Sequence, residues 1–263
     1  MEERKQKEIE YYDKKAESVL KEQSKEKVFG DFEGFKPQDL SSFRFFYKLL
    51  EDYCNDKLAL DYGCGNGIHS AFPLKAGAKR VIAIDLSEKS LEIARNRLEK
   101  GGLGEKIEFR KMDCENTEFP DNYFDLILDA GTFSSLDLNK VFPELKRILK
   151  PGGILIGIET FGHNPLANLK RSFNKLFGKR TSWAAEHIFQ KKDIKEAEKY
   201  FSEIETYFFH PISFLAFPFL SFPGGKILLR IFELLDKVLL IFPFLRKYSF
   251  KVVFVFKNPI KNV

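Results

Sequence analysis

The stretch LALDYGCGNG (58–67) constrains the fold more than any other part of the chain. An apolar run closes on an acid, and Gly63, Gly65 and Gly67 then let a buried strand turn sharply with its backbone open to a ligand. Downstream, strands and helices alternate. RVIAID (80–85) reads as a second buried strand. SEKSLEIARNRLEK (87–100) reads as a helix capped by Ser87, with Leu91, Ala94 and Leu98 on one face and Gly101 and Gly102 as its stop. IEFRKM (107–112) alternates as a third strand, and FDLIL (124–128) follows a PDNY turn as a fourth. NKVFPELKRILKPGG has a basic last turn and a Pro-Gly-Gly stop before a fifth strand, ILIGIET (154–160). Strands separated by helices imply a parallel sheet with helices on both faces.

The flanks extend this plan. Residues 1–54 read as a helical N-terminal cap, a Lys/Glu-rich segment followed by SSFRFFYKLLEDY with Ser41 or Ser42 as its N-cap. Short helices are expected at 69–76 and 191–200, a sixth strand at 204–209 and a last one at 251–256. The expected architecture is a doubly wound α/β fold with a seven-stranded, mostly parallel sheet, an N-terminal helical cap and a C-terminal apolar insertion. Residues 55–160 are expected to form the α/β core that carries the glycine turn. Residues 161–263 are expected to complete the sheet within the same domain and to supply lids over its ligand edge at about 161–190 and 210–250.

The acids define the ligand. A nicotinamide dinucleotide fingerprint wants a glycine at the sixth place of the turn, where this chain has Ile68, and Asp61 would repel a pyrophosphate, so a nicotinamide-dependent oxidoreductase is the weaker alternative. Asp61 suits a ligand with an ammonium group. Asp85, 18 residues after Gly67 at the tip of the next strand, suits a ribose diol. Together they describe an aminoacyl nucleoside. Asp113 and Asp129 add acids at two further strand ends, on the edge where open parallel sheets bind ligands.

These motifs, from about residue 58 to 160, resemble those of the class I S-adenosylmethionine-dependent methyltransferases, whose fold is Rossmann-like. The resemblance implies S-adenosyl-L-methionine as cofactor. Gly63, Cys64, Gly65 and Gly67 with Asp61 would hold its methionine moiety, Asp85 the ribose hydroxyls and Leu86 the adenine. Asp113 and Cys114 match the place where an acid and a backbone amide meet the adenine edge, and Asp129 and Ala130 match the strand tip beside the transferable methyl. Tyr12 resembles aromatic residues that close over the cofactor. Small-molecule members often carry two histidines after the fourth strand, where this chain has GTFSSLD. The catalytic candidates are therefore Glu186 and His187, in SWAAEHIFQ, ahead of His163, His210 and Glu159. His69 reads as a packing residue beside the cofactor, and no metal site is expected.

Charge and apolar content point to the acceptor. Residues 161–263 hold 17 Lys/Arg against 8 Asp/Glu and 17 of the 29 phenylalanines, whereas residues 1–160 carry a small excess of acid. Cation beside apolar surface fits an amphiphilic, lipid-like or small-molecule acceptor and a peripheral contact of residues 210–250 with a membrane. Nucleic acid is not an expected partner, because the fourth strand lacks the Asn/Asp-Pro-Pro-aromatic signature and no basic stripe with stacking platforms is present. The charged opening, MEERKQKEIE, and the lack of a charge-free run near the roughly 20 residues of a membrane span predict a cytoplasmic chain, peripheral at most on the inner membrane face. Three cysteines at unrelated spacings suggest neither a disulfide framework nor a zinc site. A membrane-associated binding protein that keeps the pocket without turnover is the non-enzymatic alternative.

Overall fold

The structure, a computed structural model, describes residues 2–21, 36–169 and 181–261. Seven strands form one sheet: β1 (Leu58–Tyr62), β2 (Arg80–Asp85), β3 (Ile107–Lys111), β4 (Phe124–Asp129), β5 (Leu149–Thr160), β6 (Phe201–Phe209) and β7 (Lys251–Pro259). Their spatial order is β3-β2-β1-β4-β5-β7-β6. The first five run parallel, while β7 pairs antiparallel with both β5 and β6. The doubly wound α/β reading is thus correct, with its reversal on either side of β1. β5 starts earlier than its β-branched run suggests, because Leu149 already pairs with Phe124 across a register shift.

Eight helices accompany the strands among the described residues: α1 (Glu3–Lys21), α2 (Ser41–Tyr53), α3 (Ala71–Lys75), α4 (Glu88–Lys100), α5 (Leu138–Ile148), α6 (Ser182–Glu186), α7 (Lys191–Ala197) and α8 (Gly225–Leu239). Those above the sheet bury alternate strand residues, such as Leu60 and Ile82, against α5. Those below bury the other set, such as Ala59 and Val81, against α2 and α4. Full burial of a leucine-sized side chain contributes roughly 1.5–3 kcal/mol, so the central strands anchor the fold. Ser87 caps α4, its hydroxyl accepting the Ser90 N–H at 3.0 Å as its sequence position predicts.

The cap of α2 differs from expectation. Leu40 occupies the N-cap position without a side-chain bond, and the Ser41 N–H donates to the Glu233 carboxylate of α8 at 2.6 Å. A remote acid does the work that a local serine was expected to do.

The C-terminal insertion also lies elsewhere than its role as a lid requires. β6 does end at the same sheet edge as β1 and β2, but it is the outermost strand of the far half. The segment after it packs beside α2, in a cluster built on Leu40, Phe217, Leu229 and Phe250. It therefore stands next to the ligand edge and not above it.

Candidate active site at the carboxyl edge of the sheet

Parallel pairing brings the carboxyl ends of β1 to β4 to one edge, and a cavity of about 270 Å³ lies there. Ten of the twelve residues assigned to the cofactor from sequence line it; Gly67 and Asp129 do not. Gly67 (φ +72°) serves packing, since a Cβ there would stand 2.8 Å from that of Ala94 on α4. Gly65 (φ +52°) has nothing within 4 Å of such a position and leaves its side of the turn open to the cavity.

The acids are held by this backbone. Asp85 accepts the Gly65 N–H at 2.9 Å through Oδ2 and the Ser87 N–H at 2.8 Å through Oδ1. Asp61 accepts the Ser70 hydroxyl at 2.6 Å. Burial lifts the Asp61 pKa to about 7 against the pull of that hydrogen bond, and the Asp85 charge adds to the rise. Burial raises Asp85 as well. Asp129 lies behind them, fully buried, with Oδ1 accepting the Thr132 N–H at 3.1 Å. Burial drives its pKa well upward, and the neighbouring Glu159 adds to the effect.

Helix α1 covers the opening. Lys5 Nζ donates to Asp113 Oδ2 at 2.6 Å and stands 2.8 Å from Glu115, while Arg4 pairs with the same buried Glu115. Ile9 and Tyr12 face the cavity from successive turns, and the Tyr12 hydroxyl lies 3.4 Å from Ser135 Oγ. Cys114 is buried beside them, its carbonyl accepting the Tyr62 hydroxyl.

The side nearest α2 is aromatic and cationic. His69 stacks on Phe43 with ring centres 5.4 Å apart, and its Nδ1 lies 2.8 Å from the Tyr47 hydroxyl. Burial lowers the His69 pKa to about 3, with Lys251 and Arg97 contributing, so the ring is neutral. Lys251 Nζ sits 5.2 Å from the centre of the Phe43 ring, and Lys251 and Thr160, register partners across β5 and β7, both line the cavity.

Glu186 and His187 are not brought to this cavity. They close the short helix α6 on the exposed surface, where the His187 ring stacks on Trp183 at 3.6 Å and its Nδ1 lies 2.9 Å from the Trp183 carbonyl. Nor do the other candidates line the cavity. His163 accepts the Lys191 N–H at 3.2 Å, His210 is buried between Ser42 and Ser213, and Glu159 accepts the Phe133 N–H at 2.7 Å. No described residue from 161 to 250 lines it either, so the lids expected at 161–190 and 210–250 give way to α1; residues 170–180 of the first lie outside the described residues.

Sequence reasoning missed Arg4, Lys5, Phe43 and Lys251. The spacing of Ile9, Tyr12 and Ala16 along α1 was an available signal for a helix with a buried face. Nothing local marks Lys251, which reaches the cavity through antiparallel register with β5.

Comparison with known proteins agrees with this geometry. The Methyltransf_11 family, a methyltransferase domain, matches residues 60–157. Demethylmenaquinone methyltransferase of Bacteroides fragilis is 40% identical over 82 residues, 31% of this chain and 34% of its own length. The ubiquinone/menaquinone biosynthesis C-methyltransferase UbiE of Hahella chejuensis is 36% identical over 81 residues, 30% of this chain and 32% of its own length. The chain thus spans about a third of the length of these curated relatives. Among solved structures, geranyl diphosphate C-methyltransferase from Streptomyces coelicolor A3(2) superposes with a TM-score of 0.57 at 16% identity, covering 82% of this chain and 79% of that one. The [4+2]-cyclase SpnF superposes at 0.54 and 17% identity, covering 83% and 82%, and these two likenesses concern the fold alone. Residues 60–157 thus match a methyltransferase domain, and the glycine turn and strand order of the sheet agree with that match.

Proposed function

We propose that the protein transfers a methyl group from S-adenosyl-L-methionine to a small, lipid-like acceptor at a membrane surface. The observation that carries this reading is the cavity edged by Asp61, the Gly63–Gly65 turn and Asp85. Its chemistry fits the cofactor. A buried carboxylate lifted to about 7 lacks a compensating cation, which an ammonium group supplies. Asp85 spends one lone pair of each oxygen on backbone N–H groups and keeps the others for a diol. Asn66 Nδ2, buried in the cavity wall without a hydrogen-bond partner, is a donor that a ligand carboxylate would satisfy.

When bound, the cofactor supplies a methyl group on a sulfonium, open to in-line attack. The chain supplies position and exclusion of water, which can account for a large share of such an acceleration. Asp61 and Asp85 orient the two ends of the donor, and α1 closes over it. Phe43 and His69 offer a flat apolar wall to an acceptor, with Lys251 beside them to favour an anionic or polarised oxygen. His69, neutral and held by Tyr47, serves as wall and hydrogen-bonding group and is a poor proton acceptor. The relatives named for menaquinone and ubiquinone biosynthesis make a quinol-like ring with an apolar tail a reasonable first acceptor to try.

Titration calorimetry with S-adenosylmethionine, followed by incubation with labelled cofactor and a lipid extract, tests the proposal. Binding with label in an extracted lipid supports it. Binding without turnover on any acceptor leaves the non-enzymatic alternative, and absence of binding rejects both.

A further inference from the structure

Helix α8 is turned with its acids inward and its aliphatic residues outward. Glu233 accepts the Ser41 N–H and pairs with Arg44 at 2.8 Å, and Asp236 accepts the Ile212 N–H at 3.0 Å; both acids are buried. Ile227, Ile231, Leu234, Leu235 and Val238, spaced to share one face, are exposed. The flanking turns continue this surface with Phe219, Phe222, Phe242 and Phe244. Of the fifteen large apolar side chains exposed among the described residues, twelve lie between Leu215 and Tyr248. An apolar surface of this concentration is a contact site waiting for a partner.

Its charge states which partner. Glu233 and Asp236 are the only acids between residues 211 and 250, and both are buried. The exposed charges of that segment are Lys226, Arg230, Lys237, Arg246 and Lys247, all cationic. We infer that this face seats α8 in the interface of an anionic lipid bilayer, with its aliphatic residues among the upper acyl chains and the lysines and arginines at the head groups. A second copy of the chain fits poorly, since a two-fold contact would set these cations against themselves. No described helix is long and apolar enough to cross a membrane, so α8 lies along the surface.

The docking face is one packing layer from the active-site cavity. Phe43 lines that cavity and packs against the cluster that seats α8 through Leu229. A chain docked this way holds the aromatic wall close to the lipid that carries the acceptor. The inference deepens the membrane part of the proposed function and rests on that reading for its choice of acceptor, while docking itself is measured without turnover.

Co-sedimentation of the full chain with phosphatidylcholine vesicles, with and without phosphatidylglycerol, tests it at low and high salt. Pelleting is expected with the anionic vesicles at low salt, and raising the salt weakens it as the Debye length shrinks. Arg230→Glu with Lys237→Glu is expected to lower the partition on the order of tenfold or more, and Ile231→Asp with Leu234→Asp to abolish it. Unchanged S-adenosylmethionine affinity and melting temperature in these variants would show that fold and cofactor pocket are intact. Equal pelleting with neutral vesicles, no pelleting at all, or a lipid-free dimer that Ile231→Asp with Leu234→Asp dissolves would each overturn the inference. None of these outcomes would touch the cofactor reading, which fails only on calorimetry.

Discussion

The Gly65 N–H donates to Asp85 Oδ2 at 2.9 Å, so the acid at the tip of β2 also ties down the glycine turn of β1. The two halves of the proposed cofactor site are thereby one unit, and a substitution at Asp85 disturbs both.

Asp85→Ala should therefore weaken S-adenosylmethionine by more than the loss of a diol contact. Hydrogen bonds to a charged group contribute about 1.5–3 kcal/mol, which corresponds to roughly 10- to 100-fold in affinity. Asp85→Asn, which keeps one acceptor oxygen, should fall between Asp85→Ala and the parent. Calorimetric dissociation constants for the three proteins decide this, and an unchanged constant in Asp85→Ala would remove the residue from the site.

The position of Asp85 was readable because spacing along a βα unit is local information, and so were Asp61 and the glycines. The parallel direction of β1 to β5 was readable too, since strands that alternate with helices run parallel. What stayed hidden depends on contacts remote in sequence. Lys5 meets Asp113 across 108 residues, and Glu233 meets Ser41 across 192. Glu186 and His187 looked suitable by type and neighbourhood, but α6 turns them to solvent, and chemistry legible in a motif says little about which way a five-residue helix faces.

With Asp61 in the proposed site, cofactor binding should be a proton-linked event. Its folded pKa of about 7 lies above the ordinary value of 3.8, so the folded chain holds a proton that the unfolded chain has lost. Its contribution to stability is therefore present at acid pH, declines as pH rises from about 4 to about 7, and is flat above that. A cationic ligand beside Asp61 favours the carboxylate, so binding near pH 6 should release up to about one proton and affinity should rise toward neutrality. Calorimetry in two buffers of different ionisation enthalpy measures this release. Asp61→Asn should eliminate it, and proton uptake would contradict the assignment.

Gly65 and Gly67 should respond differently to the same methyl group. Both have positive φ, and a left-handed alanine costs about 1–2 kcal/mol. Gly67→Ala adds a collision with Ala94, so its melting temperature should drop substantially. Gly65→Ala places its methyl in open space at the cavity, so it should remain folded and lose cofactor affinity instead. Thermal melts paired with calorimetry separate the two, and equal effects on both readouts would mean that the turn acts only as packing.

Glu115 fastens the helical cover. It is buried, it receives Arg4 and Lys5 from α1, and Lys140 stands 3.8 Å away. Glu115→Gln removes the charge and leaves these cations without their common partner, the kind of break in a buried pair that costs about 3–5 kcal/mol. Because α1 meets the rest of the described chain chiefly through α4 and this cluster, that loss should fall on the docking of α1 and not on the sheet. Trypsin should then cut faster among the lysines of α1, while the global melting temperature changes little. The cofactor should also dissociate faster in stopped-flow displacement, since Ile9 and Tyr12 leave the cavity wall together with the helix. Unaltered proteolysis and dissociation in Glu115→Gln would mean that α1 is held by packing alone and that the Arg4–Lys5–Glu115 cluster has no part in closing the site.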